Sequence, residues 1–451
     1  MVCGNGRVDD CTSRDVACLL PAHVDADAAD AIFVGDHSSE TGAALGWAGD
    51  LNGDGVDDLM VGSPRFGGQD GRTWFHFGPL APGSRDVNTA PSWYECGVPG
   101  EPRMGSAVAA GHFAGFAERR ALMSAPSADG PGKGGIVYVR AVTNDKAAIR
   151  FDGDHLYGGH DDRLFGLALA TGDIDGDGFD DILAGQPDAE RGYPKQGRAF
   201  LFTTPPSGGV AAEAAQQTLV GVEDDSRFGA AVAAFGRPGS PGWRAALIGA
   251  PASDSNGGDA GTAHLFVWPF GPEATATFVG AGANALLGSA VANVGDLDGD
   301  GLEDLAIGAP GTDQGRGAVY VYFGRHSLTG AVPLGDADVT VLGTFPGQGL
   351  GSAVARAGDF DGDGLDDLLI GGLASTNVGV TAVAWLFVEP RGRITSADAQ
   401  TTFTTGTAYT GAAAVAGVGD VNGDGLDDLA LGLWWLDSDR GSAFVFFGRG
   451  R

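Results

Sequence analysis

Seven times along this 451-residue chain, at nearly even spacing, one glycine-anchored frame of residues returns. The fullest copy is GDLDGDGLEDLAIGAP, residues 295–310. Close relatives are GDLNGDGVDDLMVGSP from Gly49, GDIDGDGFDDILAGQP from Gly172, GDFDGDGLDDLLIGGL from Gly358 and GDVNGDGLDDLALGLW from Gly419. Two copies keep the frame and lose the acids: GHFAGFAERRALMSAP from Gly111 and GRPGSPGWRAALIGAP from Gly236. The first loop positions are Asp50, His112, Asp173, Arg237, Asp296, Asp359 and Asp420, separated by 62, 61, 64, 59, 63 and 61 residues. Length alone would suggest about three domains. A period this even means instead one structural unit repeated seven times.

Each unit carries the same strand signals. A small-residue run such as LGSAVANVG (287–295) precedes the acidic loop, and a strand such as DLAIGAP (304–310) follows it. An alternating run such as AVYVYFG (318–324) comes next, then a fourth such as TFVG (277–280) or VTVLG (339–343). Four short strands with frequent turns and no helical periodicity read as all-β. Four-stranded units set around an axis make a propeller, which protects sheet edges by closing radially. The last unit ends after its third strand, AFVFFGRGR (443–451), while an unpaired strand-like run, AIFVG (31–35), stands ahead of the first. We therefore expect a seven-bladed β-propeller of four-stranded antiparallel blades over 28–451, closed by an N-terminal strand that completes the last blade. Residues 1–27 form a separate Cys-bearing segment in this reading.

The acidic loops pose an electrostatic problem. Two unit charges about 4 Å apart repel by roughly 1 kcal/mol in water and several times that near a protein surface. The pattern D-x-[DN]-x-D-G-x-x-D answers it with a cation. Positions 1, 3, 5 and 9 supply side-chain oxygens and position 7 a backbone carbonyl, which suits calcium and its six to eight oxygen ligands. The expected ligands are Asp50, Asn52, Asp54, Val56 and Asp58; Asp173, Asp175, Asp177, Phe179 and Asp181; Asp296, Asp298, Asp300, Leu302 and Asp304; Asp359, Asp361, Asp363, Leu365 and Asp367; Asp420, Asn422, Asp424, Leu426 and Asp428. Five calcium ions follow. An EF-hand needs a bidentate Glu at position 12, where this chain has Val61, Ala184, Ile307, Ile370 or Leu431. A solvated acidic turn is the bland alternative, weakened by five copies in register. The acids at position 8 (Asp57, Asp180, Glu303, Asp366 and Asp427) are expected to face solvent, and the second and fourth units to bind no calcium.

The formal net charge of −31 disfavours nucleic acid and anionic membranes. No apolar run approaches the roughly 20 residues of a membrane helix. The opening MVCGNGRVDDCTSRDVACLL lacks a charged stretch followed by an apolar one, so no signal peptide is visible. Cysteines 3, 11 and 18 cluster at the N-terminus and Cys96 stands apart; they lack short C-x-x-C zinc spacing, and disulfides are expected, with Cys18–Cys96 the preferred pair. The expectation is a secreted or cell-surface monomer.

Phe165-Gly166 and Phe228-Gly229, with Gly249-Ala250-Pro251 and Gly308-Ala309-Pro310, resemble the FG-GAP repeats of the integrin α-subunit propeller, and the likeness runs from about residue 31 to 451. Seven repeats is that family's usual count. The resemblance implies recognition on the face opposite the calcium loops. There GLWWLDSDRG (432–441) replaces Gly-Ala-Pro and offers Trp434 and Trp435, although Trp434 also suits packing at the Pro position. His155, Tyr157, His160, Tyr193 and Lys195 are expected to gather near blade three, where they could bind sugar, perform acid–base chemistry, or form only a polar loop pair. Trp47 and Trp243 are expected to pack within blades. The leading functional reading is a non-catalytic, calcium-stabilised binding or adhesion module for a protein or glycan. The alternative is a propeller enzyme acting on polysaccharide, a lyase or hydrolase. Missing leg domains put an integrin-like heterodimer in doubt.

Overall fold

The computed structural model describes residues 22–67, 70–87, 92–96, 103–127, 134–141, 155–157, 164–188, 196–203, 209–237, 242–324, 328–376, 379–404, 414–434 and 440–450. They form seven small sheets. Blade five shows the pattern: Ala290–Gly295, Asp304–Ala309, Ala318–Tyr322 and Val339–Leu342 pair antiparallel in sequence order. The first strands of the seven blades neighbour one another in turn, and Ala44–Gly49 of blade one meets Ala414–Gly419 of blade seven. The ring is closed, with the first strands innermost.

The closure is the expected one. Ala31–Val34 runs antiparallel to Ser442–Phe446, placing Ala31 opposite Val445 and Phe33 opposite Ala443. The second strands are continuous apolar runs because both of their faces pack against other blades; Asp304–Ala309 is buried at every residue. Apolar wedges fill the gaps between neighbouring blades. Between blades four and five, Phe235, Leu247, Leu265 and Phe278 meet Val291, Ile307, Tyr320 and Tyr322. Burying a large apolar side chain stabilises by about 1.5–3 kcal/mol, so these interfaces, more than the sheets themselves, hold the ring.

The paired glycines of the repeat have a steric cause. Gly288 lies at φ +84°, and a Cβ on Gly249 of the preceding blade would collide with the Gly288 carbonyl. Neighbouring blades approach backbone to backbone there.

One feature escapes the four-strand expectation. In five blades the segment leading into the fourth strand of the next unit lends a short parallel strand to the outer edge. Gly209–Ala211 joins His155–Tyr157, Gly330–Val332 joins Ala276–Val279, Gly392–Thr395 joins Val339–Leu342, His23–Asp25 joins Thr401–Thr404, and Gly83–Asp86 joins Ala31–Val34. These runs are short and mostly exposed, as in the GSRD of blade seven's outer edge, so they carry no alternating apolar signal. No helix among the described residues is long and apolar enough to cross a membrane.

Candidate metal-binding loops

The acidic loops all connect first to second strands and therefore share one face of the disc. Position 9 opens the second strand and is buried in every copy: Asp58, Asp181, Asp304, Asp367 and Asp428 are at most 1% exposed. One oxygen accepts the backbone N–H of position 2, at 2.8 Å from Leu51 and 2.7 Å from Ile174, with Leu297, Phe360 and Val421 donating likewise. In blades one, five and seven the other oxygen accepts an N–H beyond the third strand, from Gly78, Gly324 or Gly448. In blades three and six that oxygen, Oδ1 of Asp181 and of Asp367, is buried with no hydrogen-bond partner among the described residues.

Position 1 folds the loop over itself. Asp296 accepts N–H groups from Gly299, Asp300 and Gly301, and Asp50 and Asp420 repeat the pattern. Gly299 and Gly301 at φ +81° and +84° permit the doubling back. Carboxylate oxygens thereby converge. Those of Asp173, Asp175 and Asp177, of Asp296, Asp298 and Asp304, and of Asp359, Asp361 and Asp363 lie within 4.8 Å of one another. In blades one and seven position 3 is asparagine, and its amide donates to the position-5 carboxylate, Asn52 to Asp54 and Asn422 to Asp424, at 3.0 Å each.

Burial, more than any other cause, pushes the position-9 carboxyls up: Asp58 and Asp304 to about 7, Asp181 and Asp428 to about 8, and Asp367 to about 9. For Asp367 the charges of Asp361 and Asp363 come next. Desolvated carboxylates crowded by their own kind call for a cation. The orphaned oxygens of Asp181 and Asp367, and the all-oxygen donor set, fit a hard divalent ion such as calcium.

The position-8 acids do not face solvent. Each accepts an N–H from the loop of the preceding blade: Asp57 from Asp420, Asp180 from His112, Glu303 from Gly236, Asp366 from Asp296 and Asp427 from Asp359. In four of the five the same residue's own N–H returns a bond to that loop's position-1 carbonyl. These acids tie blade to blade. Their recurrence in every acidic copy was the available sign, but a repeat does not reveal which neighbour a residue faces.

Blade two lacks the acids and closes otherwise. Arg120 replaces the position-9 aspartate and lies 3.6 Å from the centre of the Phe116 ring, with Glu118 3.4 Å from its guanidinium. His112 contacts the Phe116 carbonyl at 3.1 Å and meets Phe179 of blade three edge-on.

The expected recognition residues are only partly within the described set. Trp434 is half-buried beyond the second strand of blade seven. His155 and Tyr157 belong to the fourth strand of blade two, opposite Tyr138 and Ile136, and not to a loop. His160, Tyr193, Lys195, Trp435 and Cys3, Cys11 and Cys18 lie outside the described residues, and Cys96 is described only as backbone in Ser92–Cys96. Trp243 is buried against Phe235, as expected. Trp47 is not: 44% of it is exposed.

A closed ring of seven sheets with acidic hairpins on one face defines an FG-GAP repeat β-propeller, and the FG-GAP repeat family matches residues 41–76, 165–202 and 287–322. These segments fall in blades one, three and five. More particularly, the propeller is integrin α-like. The chain is 29% identical over 244 residues to integrin alpha pat-2 of Caenorhabditis briggsae, covering 49% of this chain and 19% of that protein. It is 30% identical over 218 residues to integrin alpha-V of Gallus gallus, covering 47% and 20%. Over 173 residues it is 34% identical to integrin alpha-IIb of Homo sapiens, covering 36% and 16%. The chain spans a fifth or less of the length of these curated relatives.

Proposed function

We propose that the chain is a calcium-stabilised, non-catalytic extracellular binding module that recognises a protein or glycan on the face opposite its acidic loops. Five calcium ions would be held by the carboxylate or amide oxygens at positions 1, 3, 5 and 9 and the carbonyls of Val56, Phe179, Leu302, Leu365 and Leu426. Bound calcium supplies charge neutralisation and rigidity, bringing the formal charge from −31 to −21. The observation that carries the calcium assignment is the buried position-9 carboxyl, raised in every acidic copy and left with an orphaned oxygen in two. The likeness to integrin α subunits supports adhesion and an extracellular setting, and it favours the opposite face, where Trp434 stands, for recognition. The test is a glycan and extracellular-protein array probed with calcium-loaded and chelated protein, run beside a lyase assay on polyuronates. Calcium-dependent capture of one ligand class without turnover is the expected result. Polyuronate cleavage lost in a His155→Ala variant would replace this reading with an enzymatic one.

A further inference from the structure

We infer that the mouth of the axial channel, on the same face as the acidic loops, is a second binding site that takes a small acidic sugar: one pyranose ring bearing a carboxylate. It lies across the disc from the proposed recognition surface and is independent of it.

The site arises from one position in the repeat, three residues before each loop, where the innermost strand reaches the channel mouth. In blades one, five, six and seven the register of this strand shifts there, at Trp47, Asn293, Arg356 and Gly417. Blades two, three and four have Ala109, Ala170 and Ala234. The large groups of blades five, six and one, interrupted by Gly417 of blade seven, stand across from these small side chains and leave space. Two adjoining cavities of about 380 and 330 Å³ share Trp47, Arg237 and Arg356 in their walls. That lies at the lower end of the range for ligand pockets, about 300–1,000 Å³, enough for one or two rings and not for a folded partner.

The donor inventory fixes the charge of the ligand. The four carboxylates that line the cavities each accept a hydrogen bond: Asp57 and Asp427 an N–H from the adjoining blade, Asp180 the His112 N–H, and Glu303 the Gly236 N–H and the Asn293 amide; Asp366 beside them receives Arg356 Nε at 2.7 Å. The guanidinium forks keep unspent donors. Among the described residues Arg356 donates only through Nε, Arg119 only through Nε to the Ala48 carbonyl, and exposed Arg237 has no hydrogen-bond or ion-pair partner. Unspent planar forks match a carboxylate, whose two oxygens accept paired N–H bonds.

Trp47 supplies the apolar half. It is the one Phe, Tyr or Trp among the described residues that is exposed, and the Arg119 guanidinium lies 5.1 Å from its ring. A fixed indole exposed to water offers a flat surface for the C–H face of a pyranose. The surrounding field limits size: with the formal charge at −31, a long polyanion is repelled while a single carboxylate reaches the forks at short range.

Titration calorimetry on the calcium-loaded protein tests this with sodium glucuronate, glucose (ring without charge) and acetate (charge without ring). Glucuronate is expected to bind, with glucose and acetate at least about tenfold weaker, the loss anticipated for a missing charged hydrogen bond. Arg237→Gln is expected to weaken glucuronate about tenfold at unchanged calcium content and melting temperature, because that exposed side chain makes no hydrogen bond or ion pair among the described residues. Trp47→Ala should do the same; if it unfolds, Arg237→Gln still decides. No heat with glucuronate, equal binding of glucose, or full binding by an Arg237→Gln/Arg356→Gln double variant overturns the assignment.

Discussion

The hairpins of blades two and five join equivalent strands in opposite ways. In blade five, Asp296, Asp298 and Asp304 bring like charges together, an arrangement that a bound cation would neutralise. In blade two, Arg120 stacks on Phe116 and meets Glu118, so the connection is closed by the chain's own groups. Both make the same hand-off to the next blade: the backbone at Asp296 is gripped by Asp366, and that at His112 by Asp180. The interlock between blades is thus constant, while the means of stiffening each loop is free to vary. A propeller can keep its ring and make only some of its blades depend on the medium.

The largest expected effect comes from removing calcium altogether. Occupancy at 100 times Kd stabilises by about 2.7 kcal/mol per site, so saturating chelator should lower the melting temperature by more than about 10 °C in scanning calorimetry. An unmoved melting curve would break the comparison, because the acidic hairpins would then be as self-sufficient as blade two's. Next come paired variants. Asp367→Asn should cost a few kcal/mol in calcium and little in chelator, with one ion fewer per chain by elemental analysis. Arg120→Ala should cost about 1–2 kcal/mol equally in both, having lost a cation–π contact and an ion pair. Equal calcium dependence of the two variants would erase the distinction.

A further effect concerns pH. The position-9 carboxyls sit at about 7 to 9 in the folded, metal-free protein, above their unfolded value of 3.8. The folded state therefore holds more protons in this window, and metal-free stability should fall as pH rises from about 4 towards 9. Calcium, replacing those protons, should flatten the slope; urea denaturation across pH with and without metal measures it. The smallest effect is expected from Asn52→Asp in blade one. A fourth carboxylate should raise that loop's calcium affinity severalfold, read by competition with a chelating dye, while lowering metal-free stability slightly.

Much of this molecule was legible in its sequence because a repeat averages local signals. The period placed seven second strands, the missing fourth strand of the last unit pointed to Ala31–Val34, and Gly299 and Gly301 marked a loop that must turn sharply. What stayed hidden depends on which blade lies beside which. The acid at position 8 recurs as visibly as a ligand, yet its partner is some seventy residues away, as with Asp366 and Asp296. Gly83–Asp86 carries no strand pattern and pairs only because the outer edge of Ala31–Val34 is open beside it. Trp47 sits in an innermost strand like any blade residue, and its exposure follows from the ring of neighbours at the channel mouth, which one repeat does not reveal.

The strand that shuts the ring has a consequence for how the protein is made. Ala31–Val34 is synthesised long before its partner Ser442–Phe446, with the other six blades between them in the chain. Until then an apolar ribbon with bare backbone groups must wait while six sheets assemble behind it, a slow and aggregation-exposed order of events. The seam therefore makes closure of the ring wait on Ser442–Phe446: until that strand is in place, the edge of Ala31–Val34 that it covers has no partner.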